Sequence, residues 1–340
     1  MEHLHEQLPN GKKDKVLLVS GSSHPDLADD IAASMGLERG VSNPKEFPSG
    51  ELHVRLQDNA RGRHVVIVQS HVTEEGFSIN DSIVEQVLLI DAARRASAKS
   101  ITAVMPMFGY GRQDRKAEGR EPISAKAIVR MLDKAGPRRF VSMDMHVDAI
   151  AGFTEKPFDH LSARYLLCDW MREEVARRSG EDFMLVAPDA GRTKLAEEHA
   201  KELQLPYDFM PKTRLKGDSS KLAPRRKLDG VAGRICLVND DMIDTAGTLV
   251  SAGEALKEAG AKEVIALATH GIFSGPALER LASTAIDKVV VTDTLPPKRA
   301  REALGDKLEV ITVAQTIGDT LVRVLTKRSV SDLMSYQKTT

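Results

Sequence analysis

Cys236-Leu237-Val238-Asn239-Asp240-Asp241-Met242-Ile243-Asp244-Thr245-Ala246-Gly247-Thr248 passes from an apolar run to a pair of acids, then to a small hydroxyl and glycine turn, and on into the helix-like run from Leu249 to Ala259. This is the pattern of a strand that carries carboxylates to its C-terminal end and hands over to a helix. In open parallel sheets, ligands bind at the carboxyl ends of the strands. A helix start preceded by Thr and Gly offers backbone N–H groups and the positive end of a dipole, which suit a phosphate. The two acids would repel that phosphate if they pointed at it, and are better placed to hold sugar hydroxyls or a hydrated Mg²⁺ beside it. On its own, the stretch predicts a sugar phosphate, with the phosphate at Thr245 to Thr248 and the sugar near Asp240 and Asp241.

Outside this stretch the same grammar repeats. Short apolar runs at Val16 to Ser20, Val65 to Val68, Ile101 to Phe108 and Phe140 to Met145 alternate with runs of helical spacing at Asp26 to Met35, from Asn80 or Asp81 to about Ala98, and Ser124 to Lys134. Glu51 to Leu56 alternates like a strand. The second half has helices at Ala163 to Arg178, Arg192 to Leu203, Pro276 to Leu281 and Ala314 to Leu325, between strands at Met184 to Ala187, Tyr207 to Pro211, Ile235 to Val238, Val264 to Thr269, Val289 to Val291 and Val310 to Val313. Strands alternating with helices predict the α/β class with parallel sheets. The repetition predicts two tandem domains, residues 15–156 and 157–340, after a polar and disordered tail at residues 1–14. A polar stretch rich in Lys, Arg and Asp, Arg214 to Gly233, is too long for a connector inside a compact domain and reads as a functional loop, residues 212–233.

Composition narrows the partners. A net charge of −1 with 29% charged residues argues against nucleic acid and membrane. Aromatic residues make up only 4%, which disfavours stacking platforms for single strands. The two cysteines, Cys168 and Cys236, lie far apart in apolar runs without metal-type spacing, which predicts buried thiols in a reducing cytoplasm.

Four further constellations follow predicted strands. Phe108-Gly109-Tyr110-Gly111-Arg112-Gln113-Asp114-Arg115-Lys116 combines backbone freedom with cations for a polyphosphate, while Gln113 and Asp114 could read a base edge. It lacks the third glycine of a dinucleotide fingerprint. Asp144-Met145-His146-Val147-Asp148 places an imidazole where it could touch a triphosphate or a metal. In Ala187-Pro188-Asp189-Ala190-Gly191-Arg192-Thr193, Asp189 is a candidate for the water shell of Mg²⁺. Lys212 and Arg214 alternate on one side of a strand end. They are either cations that stabilise a phosphoryl group in transfer or a basic loop kept for solubility.

The acid-acid-apolar-apolar-Asp-Thr-Ala-Gly-Thr run resembles the phosphoribosyl-diphosphate-binding motif of phosphoribosyltransferases and ribose-phosphate diphosphokinases. Together with Phe47-Pro48-Ser49-Gly50-Glu51, Arg120 to Lys126, Asp159-His160-Leu161, Ala268 to Ala277 and Arg328 to Ser331, it makes the chain resemble the ribose-phosphate diphosphokinase family from about Val16 to Met334. The resemblance implies two phosphoribosyltransferase-like domains, each a mainly parallel sheet flanked by helices. It also implies transfer of the β,γ-diphosphoryl group of ATP to the 1-hydroxyl of ribose 5-phosphate, with Mg²⁺, in a homo-oligomer, often a hexamer, whose ATP site is shared between subunits.

On that resemblance Phe47 and Glu51 contact adenine, and Arg112, Gln113 and Asp114 hold the nucleotide. His146 and Asp189 serve the metal and the triphosphate. Asp240 and Asp241 hold the ribose hydroxyls, and Asp244, Thr245, Ala246, Gly247 and Thr248 hold the 5-phosphate. Lys212 and Arg214 are the catalytic cations. The chain departs from the family pattern at Ser49, usually Asp, at Ala190, commonly His, and at Asn239, usually apolar. A phosphoribosyltransferase would share Asp240 to Thr248, and a non-catalytic regulatory homologue would fit Ser49 and Ala190.

Overall fold

The computed structural model of the chain describes residues 6–74, 76–188, 193–210, 230–282 and 285–331. The described residues divide into two compact units, one built from residues up to Ser162 with Thr294–Pro296 and the segment from Thr312 onward, the other from Ala163–Asp293 and Pro297–Ile311.

The first unit contains helix α1 (Asn10–Lys13), strand β1 (Val16–Ser20), helix α2 (Pro25–Ser34), strands β2 (Lys45–Glu46), β3 (Leu52–His53) and β4 (His64–Val68), helix α3 (Ile79–Arg95), strand β5 (Ser100–Met105), helix α4 (Ser124–Ala135), and strands β6 (Arg139–Met143) and β7 (Phe158–Leu161). Its main sheet has the order β1-β4-β5-β6-β7, and every neighbouring pair is parallel. All five residues of β1 are buried, because a parallel sheet is covered by helices on both faces and its strands are apolar throughout.

The second unit contains helix α5 (Arg164–Arg177), strand β8 (Phe183–Ala187), helix α6 (Thr193–Leu203), strands β9 (Tyr207–Phe209) and β10 (Ile235–Ile243), helix α7 (Gly247–Glu258), strand β11 (Glu263–Gly271), helix α8 (Ala277–Ala282), strand β12 (Lys288–Thr292), helix α9 (Lys298–Leu304) and strand β13 (Leu308–Ile311). The sheet order is β13-β12-β11-β10-β8-β9, again parallel at every pair. From β8 the chain steps outward to β9, whereas from β10 it steps the other way through β11 to β13. The β8–β10 junction is therefore the point where the winding reverses, and such crevices hold ligands in open α/β sheets. Helix α10 (Ala314–Thr326) returns to the first unit and packs on α2.

The α/β class with tandem parallel sheets is what the sequence predicts, but several details differ. Residues 6–15 are ordered, not a disordered tail: Leu8 is buried and donates its N–H to Met35 O, while Glu6 pairs with Arg323 and Arg328 on and after α10. The boundary falls at Ser162/Ala163 rather than 156/157, and residues 312–331 join the first unit although the tandem reading places them in the second. The reason lies in packing: a Cβ at Gly318 would collide with the Ser34 hydroxyl, so glycine lets α10 approach α2, and Ile317 and Leu321 are buried there. Each such side chain contributes about 1.5–3 kcal/mol on burial.

Helix α3 is capped by Ser78, not Asn80 or Asp81. Ser78 Oγ accepts from Asp81 N, and Asp81 answers at the Ser78 N–H in a capping box. The expected strand Glu51 to Leu56 contracts to the two residues of β3, paired antiparallel with β2, and helix α9 stands where the sequence reading assigns no element. Both thiols are buried and free, and burial drives that of Cys168 up to about 12 and that of Cys236 up to about 11. Among the described residues no helix is long and apolar enough to cross a membrane.

Candidate functional site

Strand β10 is longer than its apolar core predicts. It pairs with β11 through Asp240↔Ala268 and Met242↔His270 as far as Ile243↔Gly271, so both acids lie within the strand, half-buried at its carboxyl end. Ile235 and Leu237 belong to the core on the α5–α6 face, and Cys236 and Val238 to the core on the α7 face. Asn239 continues the first set and is buried. Its side-chain Nδ2 meets His199 Nδ1 on α6 at 2.8 Å, which is how a polar residue is accommodated where an apolar one is usual. Burial, with Arg164 adding to it, drives the His199 imidazole down to about 3, so it is neutral. His199 Nε2 and Asn239 Oδ1 have no partner among the described residues.

The turn after β10 is held by its own carbonyls. Ile243 O accepts from Ile272 N (2.9 Å) and Phe273 N (3.0 Å), and Asp244 O accepts from Ser274 N (3.0 Å). Thr245 O accepts from Arg280 Nη1 at 2.9 Å. A trans peptide sets each carbonyl opposite the next N–H. Three consecutive carbonyls drawn toward the segment from Ile272 to Arg280 therefore turn the N–H groups of Asp244, Thr245 and Ala246 the other way. Ala246 is left-handed (φ 58, ψ 4) and Gly247 begins α7, with no side chain capping the helix. A left-handed residue followed by a right-handed helix makes a nest of successive N–H groups, which binds anions, and the first N–H groups of α7 have no partner within the helix. The exposed Thr245 and Thr248 hydroxyls border it. The site can take a phosphate, with Asp240 and Asp241 one step back along the strand.

In the first unit, Phe47 and Glu51 stand on the β2–β3 hairpin. Phe47 is 51% exposed, and Ser49 Oγ donates to Glu51 Oε2 at 2.9 Å, so the serine orients the glutamate. Arg112 and Gln113 are exposed and Asp114 half-buried in the loop after β5, which begins three residues earlier than the sequence suggests, at Pro106. Side chains secure this loop. Gly109 N donates to His71 Nδ1 (3.0 Å), Tyr110 OH donates to Asn80 Oδ1 (2.6 Å), and Ser124 Oγ donates to Gln113 Oε1 (2.6 Å). His71 Nε2 is 2.9 Å from Gln86 Oε1, and burial drives this histidine down to about 4, so it is a neutral ring that accepts at Nδ1 and donates at Nε2. His146, half-buried, lies beside the loop: a Cβ on Gly111 would touch its Cβ at 3.6 Å.

The structure thus brings together Asp240, Asp241, Asp244 and Thr245–Thr248 in one unit, and the Arg112–Asp114 loop with His146 in the other. Asp189, Lys212 and Arg214 lie outside the described residues. Sequence reasoning passed over His71, Gln86, His199 and Arg280. His71 lies three residues past the apolar run of β4, and a polar residue just beyond that end of a parallel strand is a usable signal; Arg280 has none, being 35 residues from Thr245.

Two parallel α/β units, one with an acidic strand end leading into a turn of anion-nest geometry, define a class of α/β protein whose strand ends are suited to a phosphorylated ligand. Residues 16–136 match the family model for the N-terminal domain of ribose phosphate pyrophosphokinase, and residues 189–335 that of the phosphoribosyl synthetase-associated domain. A ribose-phosphate pyrophosphokinase of Streptomyces avermitilis is 40% identical over 95% of this chain and 97% of its own. One from Bifidobacterium longum is 41% identical over 95% and 94%. The crystal structure of phosphoribosylpyrophosphate synthetase from Mycobacterium smegmatis superposes with a TM-score of 0.83 at 38% identity, covering 92% of this chain and 99% of that one. The chain belongs to the ribose-phosphate pyrophosphokinase family and is an enzyme of that family.

Proposed function

We propose that the chain transfers the β,γ-diphosphoryl group of ATP to the 1-hydroxyl of ribose 5-phosphate, giving 5-phosphoribosyl 1-diphosphate and AMP. The observation that carries this reading is the acidic end of β10 leading without a break into the nest at Thr245–Thr248. That order suits a ligand with hydroxyls at one end and a phosphate at the other. In the reaction the anomeric oxygen attacks the β-phosphorus, the bond from that phosphorus to the oxygen shared with the α-phosphate breaks, AMP leaves, and the hydroxyl proton is released.

The nest and α7 hold the 5-phosphate, with Asp244 at its entrance, and Asp240 and Asp241 accept hydrogen bonds from the ribose hydroxyls. Phe47 and Glu51 receive adenine, while Arg112, Gln113, Asp114 and His146 receive the rest of the nucleotide. The exposed guanidinium of Arg112 suits a polyphosphate. Lys212 and Arg214 stabilise the charge on the transferring group, which needs positioning and cations rather than covalent chemistry.

Mg²⁺ fits the donor set. It takes oxygen ligands, commonly one or two carboxylates with water and substrate phosphates, and Asp240, Asp241 and Asp189 supply carboxylates. His146, a nitrogen donor, suits a phosphate or a metal-bound water better than the metal itself. Among the described residues no cluster of three or more His, Cys, Asp or Glu forms a dedicated cage, in keeping with an ion that arrives with its phosphates. When bound, Mg²⁺ neutralises phosphate charge. A homo-oligomer in which Phe47 and Glu51 serve a neighbouring subunit, in the cytoplasm, completes the reading.

The test is AMP release by the purified protein given ATP, Mg²⁺ and ribose 5-phosphate. AMP at the level of the control without sugar overturns the reading.

A further inference from the structure

The carbonyl of Thr245 is the last of the three that shape the nest, and it is the only one of them held by a side chain in the bonds described above. Ile243 O and Asp244 O are tied to backbone N–H groups of residues 272–274, bonds that survive almost any substitution. Thr245 O depends on Arg280. Resting on the ribose 5-phosphate reading above, we infer that Arg280 is a positioning residue for the 5-phosphate, one that fixes the nest by holding the Thr245 carbonyl.

Three observations support the inference. The bond from Arg280 Nη1 to Thr245 O is 2.9 Å and sets the direction of the Ala246 N–H across a planar peptide. Ala246 is left-handed at φ 58, a conformation that is strained for a residue with a Cβ and persists only where its surroundings over-determine it. The peptide immediately before it is the one Arg280 holds. Thirdly, the guanidinium lies against the glycine that opens the helix: a Cβ on Gly247 would stand 3.5 Å from Arg280 Nη1. A permanent positive charge thus lies at the helix end that already carries the positive pole of the dipole. The pairing of that charge with an arriving dianion is favourable, and in the unliganded protein Arg280 is exposed, so holding it there requires little desolvation.

Arg280 acts on the phosphate end of one substrate only, so its loss should split the kinetic constants. In Arg280→Ala the KM for ribose 5-phosphate is expected to rise about tenfold or more, the cost of one charge-assisted hydrogen bond, while kcat and the KM for ATP stay within about twofold. Arg280→Lys, which keeps a donor and the charge but not the planar fork, is expected to recover part of the loss. A thermal melt accompanies each variant. An unchanged KM for ribose 5-phosphate in Arg280→Ala overturns the inference. So does a parallel change in all three constants, or a fall in melting temperature with no split between the substrates, since either marks a merely structural role. The wild-type assay separates the two levels: no AMP release by wild type defeats the diphosphokinase reading itself, whereas an active wild type with an indifferent Arg280→Ala defeats only the role of Arg280.

Discussion

In the first unit the loop after β5 is held by side chains as well as by backbone, with His71, Asn80 and Ser124 each satisfying one of its groups. In the second, the turn after β10 is held through its own carbonyls, two of them by backbone N–H groups. Both are loops at the carboxyl edge of a parallel sheet, yet they are specified differently. A nest needs its N–H groups aimed, and tying the carbonyls aims them, two through backbone bonds and the third through Arg280. A loop that presents Arg112 and Gln113 must place side chains, and its frame combines exposed bonds at Asn80 and Ser124 with a buried one at His71, which has to stay paired. The first arrangement is therefore vulnerable at His71, to substitution and to protons, and the second at Arg280.

His71→Ala is the most severe way to probe this. It removes the acceptor for Gly109 N and the partner of Gln86, both buried, and leaves a cavity. The expected cost is about 2–4 kcal/mol in denaturant unfolding, together with a raised KM for ATP and an unchanged KM for ribose 5-phosphate. If stability falls and the KM for ATP does not move, the loop is not held by His71 in any way that matters to the nucleotide.

The second unit has a buried polar pair of its own, Asn239 with His199. Asn239→Val alone is expected to cost about 1–3 kcal/mol, because it orphans His199. Adding His199→Leu should return most of that loss, since the present pair already leaves two buried atoms without partners. Additive losses in the double variant would show that the two side chains do not act as a pair.

Acid addresses both frames at once. His71 and His199 ionise in the folded protein at about 4 and about 3, against 6.5 when unperturbed. Between those values the unfolded chain binds more protons, so stability is full above 6.5 and falls as pH drops toward 4 for His71 and toward 3 for His199. Each histidine contributes a slope of up to about 1.4 kcal/mol per pH unit. The double variant at Asn239 and His199 should show a shallower acid limb, measured as midpoint against pH.

The smallest effect is expected at the hairpin. Ser49→Asp replaces an exposed donor to Glu51 with a second carboxylate and should change stability by no more than about 0.5 kcal/mol. Any effect belongs in the KM for ATP, and one in the KM for ribose 5-phosphate would contradict the division of labour.

What could be read from the chain, and what could not, follows the range of the interactions. The apolar runs of β1, β4, β8 and β10 were legible because a strand buried on both faces needs little beyond its own composition. The extension of β10 through Asp240 and Asp241 was not, because it rests on pairing with Ala268 and His270. Helix α3 was legible by period, but Glu85 and Gln86 on it read as solvent-facing. Both are buried, and their partners, Ser22 and His71, come from other strand ends; for Glu85 burial outweighs the Ser22 bonds and raises its carboxyl. Helix α9 was missed because Lys298 to Leu304 is mostly charged, with only Ala300 and Leu304 turned inward. The turn into α7 could be read from Thr245 to Thr248 alone. Its brace at Arg280 could not, since nothing local links residues 35 positions apart.

The return of α10 to α2 also sets an order of events. The surface of α2 that α10 covers at Gly318 is made early in synthesis, while α10 itself is made some 280 residues later. Domains usually form on the ribosome from the N-terminus onward. Here the described strands of the second unit, through β13 at Ile311, are made before the first unit receives α10. A chain interrupted before Ala314 would therefore leave the older half unfinished and the younger half whole.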